Sequence, residues 1–354
     1  MQNRRVRASA PGKLILMGEH AVVYGYPALT TAVDLRLDVT LEPGSEPGVA
    51  VNLPQLDMAF DLDWQEIRDY TRRAREAWER YAANPSAEAF AEVGHGDPAH
   101  LTKIALGEAA GEVDAALKLR VDSGIPIGGG LGSSAAASVA IVGALRAWLG
   151  KAHDAATLDP LVLEVERRQH GMPSGVDHAT VLLGGALWAR RDGDALAARP
   201  LAIADRGILA GMRVYDTGRP AESTGQVVST VRDRLRTLPD QGRELFERMG
   251  GATRTLRDRL TEGGDTREVV EAIRTFQRGL ESLGVVPGEL VEIVRRCEAE
   301  GGAAKITGAG TLTGSAAGCL LVYHPQSPGP WPFLERFQAH PVALGAPGLT
   351  LEIL

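Results

Sequence analysis

The chain has 354 residues, 44% of them hydrophobic and 23% charged, with a formal net charge of −7. That length exceeds what one hydrophobic core usually supports, so two domains are expected. The acidic balance, without any long Lys/Arg block, excludes nucleic acid and an anionic membrane surface as main partners and leaves room only for a local basic pocket.

Near the start, Arg4-Arg5 has only a superficial likeness to a twin-arginine signal, because Lys13, Glu19 and His20 interrupt what would be the apolar region. Those same three residues sit in a mostly apolar strand running from Ala10 to His20. Lys and Glu are rarely fully buried unless paired, so this strand either lets them reach the surface or delivers polar groups into a cleft. Leu35, Leu37, Val39 and Leu41 then alternate with Asp34, Arg36, Asp38 and Thr40, the period of a half-buried strand. Residues 42–99 read as a helical insert over the sheet, charged and helix-like over 63–82 and broken at Asn84-Pro85 and Asp97-Pro98. His95 and His100 are expected on a solvated loop.

Leu117, Leu119 and Val121 alternate again and lead into Gly128-Gly129-Gly130-Leu131-Gly132-Ser133-Ser134, with four glycines among five residues. Glycine permits positive φ and close approach of a ligand, and the serine pair stands where a helix N-cap would. Amides at a helix start carry partial positive charge, so the loop is suited to a phosphate, although a serine-capped turn has the same pattern. It is not a Walker A loop, since no Gly-Lys-Ser/Thr follows, and it lacks the third glycine of a dinucleotide fingerprint. The apolar run from Ser133 to Gly150 contains Arg146 and is rich in small residues, which fits a buried helix rather than a membrane span.

A helix over 161–170 carries Glu164 and Glu166 and stops at Gly171-Met172-Pro173-Ser174-Gly175. Val176-Asp177-His178 opens the next segment, and Gly184-Gly185 leads into a strand over 186–188. The pattern loosens near Arg199 to Asp205, placing a domain boundary between residues 204 and 205. Beyond it come a strand over 208–215 and four helical stretches beginning near Ser223, Gly242, Thr266 and Pro287. A second glycine-rich segment follows from Lys305 to Gly318, with strands over 320–323 and 349–354. Strands, then helices, then strands indicate an α+β domain. The two cysteines, Cys297 and Cys319, form neither a disulfide framework nor a metal spacing, which fits a reducing cytoplasm. Cys297 shares a helical face with Leu290, Val291 and Val294 and reads as core.

Three separated segments, PGKLILMGEHAVVYGYPAL from Pro11, GGGLGSSAA from Gly128 and KITGAG from Lys305, resemble in order the three motifs of the GHMP kinases. Gly18-Glu19-His20 and the segment PSGVDHATVLLGG from Pro173 are most similar to the mevalonate kinase branch. The resemblance implies a two-domain α+β fold. Residues 1–204 would form a ribosomal-protein-like β/α domain with a left-handed crossover, and residues 205–354 a ferredoxin-like domain. It implies ATP- and Mg2+-dependent phosphorylation of the primary hydroxyl of mevalonate to 5-phosphomevalonate, an isoprenoid precursor, in the cytoplasm. Phosphomevalonate kinase, another alcohol kinase of the superfamily and a metabolite-binding pseudokinase are the alternatives, and a homodimer is left open.

Carried over to this sequence, Gly128, Gly129, Gly130, Leu131, Gly132, Ser133 and Ser134 would cradle ATP together with Lys13. Ser134 and Glu166 would hold Mg2+, an ion that needs few protein oxygens. Asp177 would orient the acceptor hydroxyl or take its proton, beside Lys13. Glu19, His20, Asp177 and Thr224 would line the substrate site. On residue type alone, Glu166 is an exposed helix acid, Lys13 a structural ion pair, His20 a satisfied core residue, and Asp177 and Thr224 helix caps. Two features depart from the family pattern. Thr311 to Ala317 lengthen the third motif before Gly318-Cys319, and Glu222-Ser223 stand where some mevalonate kinases have an arginine ahead of the threonine, with Arg219 as a substitute.

Overall fold

A computed structural model describes residues 4–94, 96–193, 195–326 and 331–354. The first sheet grows from a long hairpin, β1 (Val6–Met17) and β2 (Ala28–Pro43). It continues through β3 (Gly48–Leu53), β4 (Met58–Leu62) and β5 (Ala116–Ser123) in the order β1-β2-β5-β3-β4. The alternating residues of β2 lie opposite those of β5, Val39 against Val121 and Leu41 against Leu119, so both periods of two share one buried face. β6 (Ala186–Asp192) pairs with the first residues of β2 and with β7 (Ala195–Leu201).

Helices α1 (Trp64–Ala83), α2 (Ala87–Gly94), α3 (His100–Ala110), α4 (Ser133–Trp148), α5 (Ala155–His170) and α6 (Val176–Leu183) accompany this sheet. The small side chains of α4 let it bury almost its whole length against β1, β2, α3 and α5. Residues 42–99 depart from the helical insert expected of them, because β3 and β4 lie there and β3 runs parallel to β5. Their apolar alternation spans only a few residues, too short to stand out beside the long charged helix. His100 is buried instead of solvated. Its Nδ1 lies 2.8 Å from the Tyr70 hydroxyl and its Nε2 3.3 Å from the Arg168 carbonyl oxygen. His95 lies outside the described residues.

The second sheet is built from β8 (Met212–Asp216), β9 (Ala303–Thr307), β10 (Cys319–Tyr323) and β11 (Gln338–His340). Its antiparallel order β11-β8-β10-β9 is that of a ferredoxin-like sheet. The short helix α7 (Arg206–Ala210) occupies the start of the strand expected over 208–215. Asp205 caps it by accepting from the Gly207 amide. Between β8 and β9 run α8 (Thr224–Arg236), α9 (Pro239–Glu262), α10 (Thr266–Ser282) and α11 (Gly288–Ala299). Val269, Ile273, Phe276 and Leu280 recur at helical spacing on α10 and are buried, and the helix packs on α9 and β9. Where a ferredoxin-like fold has its second helix, the described residues between β10 and β11 contain only a 3-10 turn, Pro332–Leu334. The last strand, β12 (Thr350–Ile353), returns to the first sheet beside β1.

Candidate active site

Three adjacent residues of β1 seat the glycine loop. Proline has no N–H for the ladder, and the register of β1 shifts between Pro11 and Gly12. A side chain at Gly12 would stand 2.9 Å from the Leu131 carbonyl oxygen, so glycine lets the loop lie against the strand. The Lys13 amide then donates to that same carbonyl at 2.9 Å.

Gly128, Gly130 and Gly132 have φ of 78°, 79° and 79°. Only glycine takes this left-handed region without cost. Gly132 therefore occupies the N-cap of α4, and no side chain caps the helix, in contrast to the serine cap expected. Ser133 and Ser134 become the first helical residues, and the buried Ser134 hydroxyl has no hydrogen-bond partner. The Lys13 stem crosses the helix start so closely that a Cβ at Gly132 would lie 2.6 Å from Lys13 Cγ. Its ammonium ends 3.0 Å from Asp177 Oδ1, the lysine side chain 6% exposed and the aspartate 41%. The pair is thus anchored on the lysine side and open on the carboxylate side. Asp177 lies in the first turn of α6 after Gly175 and caps nothing.

Glu166 is buried, not an exposed helix acid. Ser138, one turn beyond Ser134, places its Oγ 2.9 Å from Glu166 Oε1 and 3.0 Å from the Ser134 carbonyl oxygen. A hydroxyl has one proton to donate, and the carboxylate is the stronger acceptor. The other Glu166 oxygen lies 3.8 Å from His170 Nε2.

The structure places Glu19 and His20 differently from simple pocket-lining groups. Glu19 is buried with Lys305, Oε1 to Nζ 2.5 Å, and the Gly308 amide donates to the same oxygen at 3.4 Å. Burial pushes the Glu19 carboxyl up and the Lys305 ammonium down, while their mutual attraction opposes both shifts. Glu19 thereby joins the end of β1 to β9. His20 has φ 60°, uncommon for a residue with a Cβ. Its Nε2 lies 2.9 Å from the Ala309 carbonyl oxygen, which assigns the proton to Nε2 and leaves buried Nδ1 an acceptor without a partner. Burial holds this imidazole below its usual value of 6.5, so it is neutral at neutral pH.

The lengthened third motif is tied down. Glu222 accepts from the hydroxyls of Thr311 and Thr313, each at 2.5 Å, and from the Leu312 amide at 3.0 Å. These donors hold its carboxyl at about 2. The two glycine-rich segments also touch, Cys319 Sγ donating to the Gly129 carbonyl at 2.8 Å, and burial pushes that thiol up to about 12. Arg219 is exposed beside the loop, its Cδ 3.5 Å from where a Cβ would stand at Gly128. Thr224 is the exposed first residue of α8, while Ser223 makes the cap in a reciprocal capping box with Gln226.

Lys13, Asp177 and the loop are thus brought together, and Glu166 is tied through Ser138 to the turn of α4 that follows Ser134. Sequence reasoning missed Lys305 as the partner of Glu19, Ser138 as the bridge to Glu166, and Glu222 as the clamp on the third motif. Only the first had a usable signal, since a glutamate in an apolar strand calls for a partner.

A glycine loop opens a buried helix in a chain whose second sheet is ferredoxin-like, and residues 99–185 match the family described as GHMP kinases N terminal domain, which places the chain among the small-molecule kinases of the GHMP class. A mevalonate kinase of Methanothermobacter thermautotrophicus is 30% identical over 317 residues, covering 88% of this chain and 91% of the relative. One from Pyrococcus furiosus is 29% identical over 338 residues, covering 91% and 90%. The crystal structure of L. major mevalonate kinase in complex with R-mevalonate shares the fold, with a TM-score of 0.63 at 23% identity over 90% of this chain and 87% of that one. The chain belongs to the mevalonate kinase family.

Proposed function

We propose that this chain transfers the γ-phosphoryl group of ATP to the primary hydroxyl of mevalonate, giving 5-phosphomevalonate. The observation that carries the reading is the Lys13–Asp177 pair at 3.0 Å beside the glycine loop, in a chain whose full-length relatives are mevalonate kinases. Phosphoryl transfer is catalysed mainly by positioning and charge neutralisation, so the site needs amides, cations and one group on the acceptor hydroxyl.

The amides of Gly128 to Ser133 and the Lys13 ammonium would receive the phosphates. Asp177 would accept a hydrogen bond from the mevalonate hydroxyl and hold it in line, taking its proton as the new O–P bond forms and the bond from the γ-phosphorus to ADP breaks. Lys13 balances the Asp177 charge, which favours orientation over early proton removal. Ser134 and Glu166 suit Mg2+, a hard cation with few protein ligands: the serine hydroxyl lacks a partner, and the carboxylate is held by Ser138. When bound, that ion would neutralise charge on the phosphate oxygens. On the substrate side His20 Nδ1 is a free acceptor, and Thr224 and Arg219 are the candidates for the mevalonate carboxylate. Glu19 would act by holding His20 in place.

We further assign residues 1–204 and 205–354 to two domains, with β12 lent back to the first sheet. A cytoplasmic location agrees with two free, buried thiols, and among the described residues no helix is long and apolar enough to cross a membrane. A homodimer is the alternative to a monomer, and sedimentation would decide between them. ADP release measured with mevalonate, phosphomevalonate, galactose and homoserine tests the substrate. Turnover is expected with mevalonate and should fall by about 10²–10⁴-fold in Asp177→Asn. Turnover only with another alcohol would overturn the substrate, and full activity in Asp177→Asn would overturn the role of the aspartate.

A further inference from the structure

The segment that leaves β8 for α8, residues 217–223, runs along the third motif and is fastened to it at both ends. At the β8 end the Thr217 amide and hydroxyl donate to the Gly318 carbonyl at 2.8 and 2.7 Å. The Gly318 amide donates in turn to the Gly218 carbonyl at 3.0 Å. At the α8 end the Glu222 carboxylate accepts from Thr311, Leu312 and Thr313. Arg219 stands between these two fastenings, so its backbone is held while its side chain is exposed.

That side chain lies over the mouth of the glycine loop. Its Cδ and Nε are 3.5 and 3.6 Å from where a Cβ would stand at Gly128, in ordinary van der Waals contact. No hydrogen bond or ion pair holds the guanidinium among the described residues. The acids nearest to it in sequence are both engaged elsewhere, Glu222 on the third motif and Asp216 on its own turn. Asp216 Oδ1 accepts from the Gly218 amide at 2.7 Å, and its Oδ2 is 3.9 Å from His340 Nε2. That same Oδ2 is 4.0 Å from where a Cβ would stand at Gly129, so a carboxylate sits against the loop. Lys13, the cation at the other end of the loop, is already paired with Asp177. Phosphates arriving on the loop therefore need a further cation on the Asp216 side.

We propose that Arg219 is a nucleotide ligand, its guanidinium reaching from the β8–α8 segment to the phosphate oxygens of ATP on the glycine loop. The proposal rests on the reading of that loop as the ATP site. A guanidinium presents paired N–H donors that match phosphate oxygens two at a time. An arginine supplied from the same chain also neutralises charge that a phosphoryl transfer spreads over those oxygens. Arg219 has no protein ion pair to give up when it turns to the nucleotide. Of the two candidates for the mevalonate carboxylate, this leaves Thr224.

Titration calorimetry with the non-hydrolysable imido analogue of ATP, with Mg2+ and without any acceptor alcohol, tests the assignment. Arg219→Ala and Arg219→Gln should each weaken binding at least about tenfold, the loss expected for a hydrogen bond to a charged group. Arg219→Lys keeps the charge without the fork and should recover part of that loss. All three variants should melt with the wild type, because the side chain has no protein partner to lose. In turnover the KM for ATP should rise, with the KM for mevalonate within about twofold of the wild type. A rise confined to the KM for mevalonate would put the guanidinium on the carboxylate and overturn the proposal. Wild-type affinity for the analogue in both Arg219→Ala and Arg219→Gln would also overturn it, leaving the ATP site on the loop standing. A wild type that does not bind the analogue would overturn the reading of the loop and this proposal with it.

Discussion

Replacing Lys305 by methionine isolates the buried pair that joins β1 to β9. Lys305 is fully buried and Glu19 nearly so, and their polar atoms lie 2.5 Å apart. Removing the ammonium leaves a carboxylate with one amide donor, from Gly308, and no counter-charge in contact. Breaking one side of such a pair costs about 3–5 kcal/mol, limited here because the carboxyl can take up a proton. At roughly 2 °C per kcal/mol for a chain of this size, Lys305→Met should melt roughly 6–10 °C below the wild type at neutral pH. The double variant Glu19→Gln/Lys305→Met removes both charges and should recover at least half of that loss.

The pH dependence has a definite sign. Burial raises the Glu19 carboxyl above its ordinary 4.5, and without Lys305 nothing of opposite charge in contact offsets that. An acid whose folded value is raised contributes stability below its unfolded value and loses it as pH rises through the folded value. The deficit of Lys305→Met should therefore shrink as pH is lowered toward 4.5 and grow above it. Thermal unfolding followed by circular dichroism between pH 4.5 and 8 measures both effects. A single variant melting within about 1 °C of the wild type, or a double variant no more stable than the single, would refute the reasoning.

Gly132→Ala forces a side chain into φ 79° and against Lys13 Cγ, costing about 1–2 kcal/mol in the backbone alone. Displacing the ammonium from Asp177 should lower kcat by about 10²-fold, and a variant with wild-type kcat would show that Lys13 need not lie there. Ser134→Ala removes a hydroxyl that has no protein partner, so stability should change by less than about 0.5 kcal/mol. The Mg2+ concentration for half-maximal turnover should rise, and an unchanged titration argues against the metal role. Glu222→Gln should loosen the segment around Thr311 and Thr313. Because the folded carboxyl titrates at about 2 against 4.5 when unperturbed, its contribution is complete above pH 4.5 and is lost as pH falls toward 2. Acid unfolding of the wild type should therefore lose stability across that window more steeply than the variant, and parallel curves would count against the clamp.

Several features were legible in the sequence because they are local. The alternation in β2 and β5, the amphipathic stripe of α10 and the strand–loop–helix order at Gly128 each depend on residues a few positions apart, where periodicity mirrors geometry directly. The motif triplet around Lys13, Ser134 and Lys305 indicated a phosphoryl-transfer chemistry before any contact was visible. Local rules were weaker where a long-range contact decided the conformation. Ser133 and Ser134 had the composition of a cap, yet Gly132 took that place because the loop must turn left-handed beside Lys13. His100 looked like a loop residue, and its partners came from Tyr70 and Arg168 in two other helices.

Composition and motif order thus determined that the chain is a globular α+β protein with a phosphate-type loop, and which residues are the candidates for its chemistry. Tertiary structure decided what those residues face. Glu19 and Lys305 are 286 positions apart and meet only because β1 ends beside β9. Glu166 looked like a surface acid until α5 folded it against Ser138, and Thr350 to Ile353 reached the first sheet only by pairing with β1. Local patterns encode which face of a strand or helix is apolar, but the pairing of distant charges depends on the course of the whole chain.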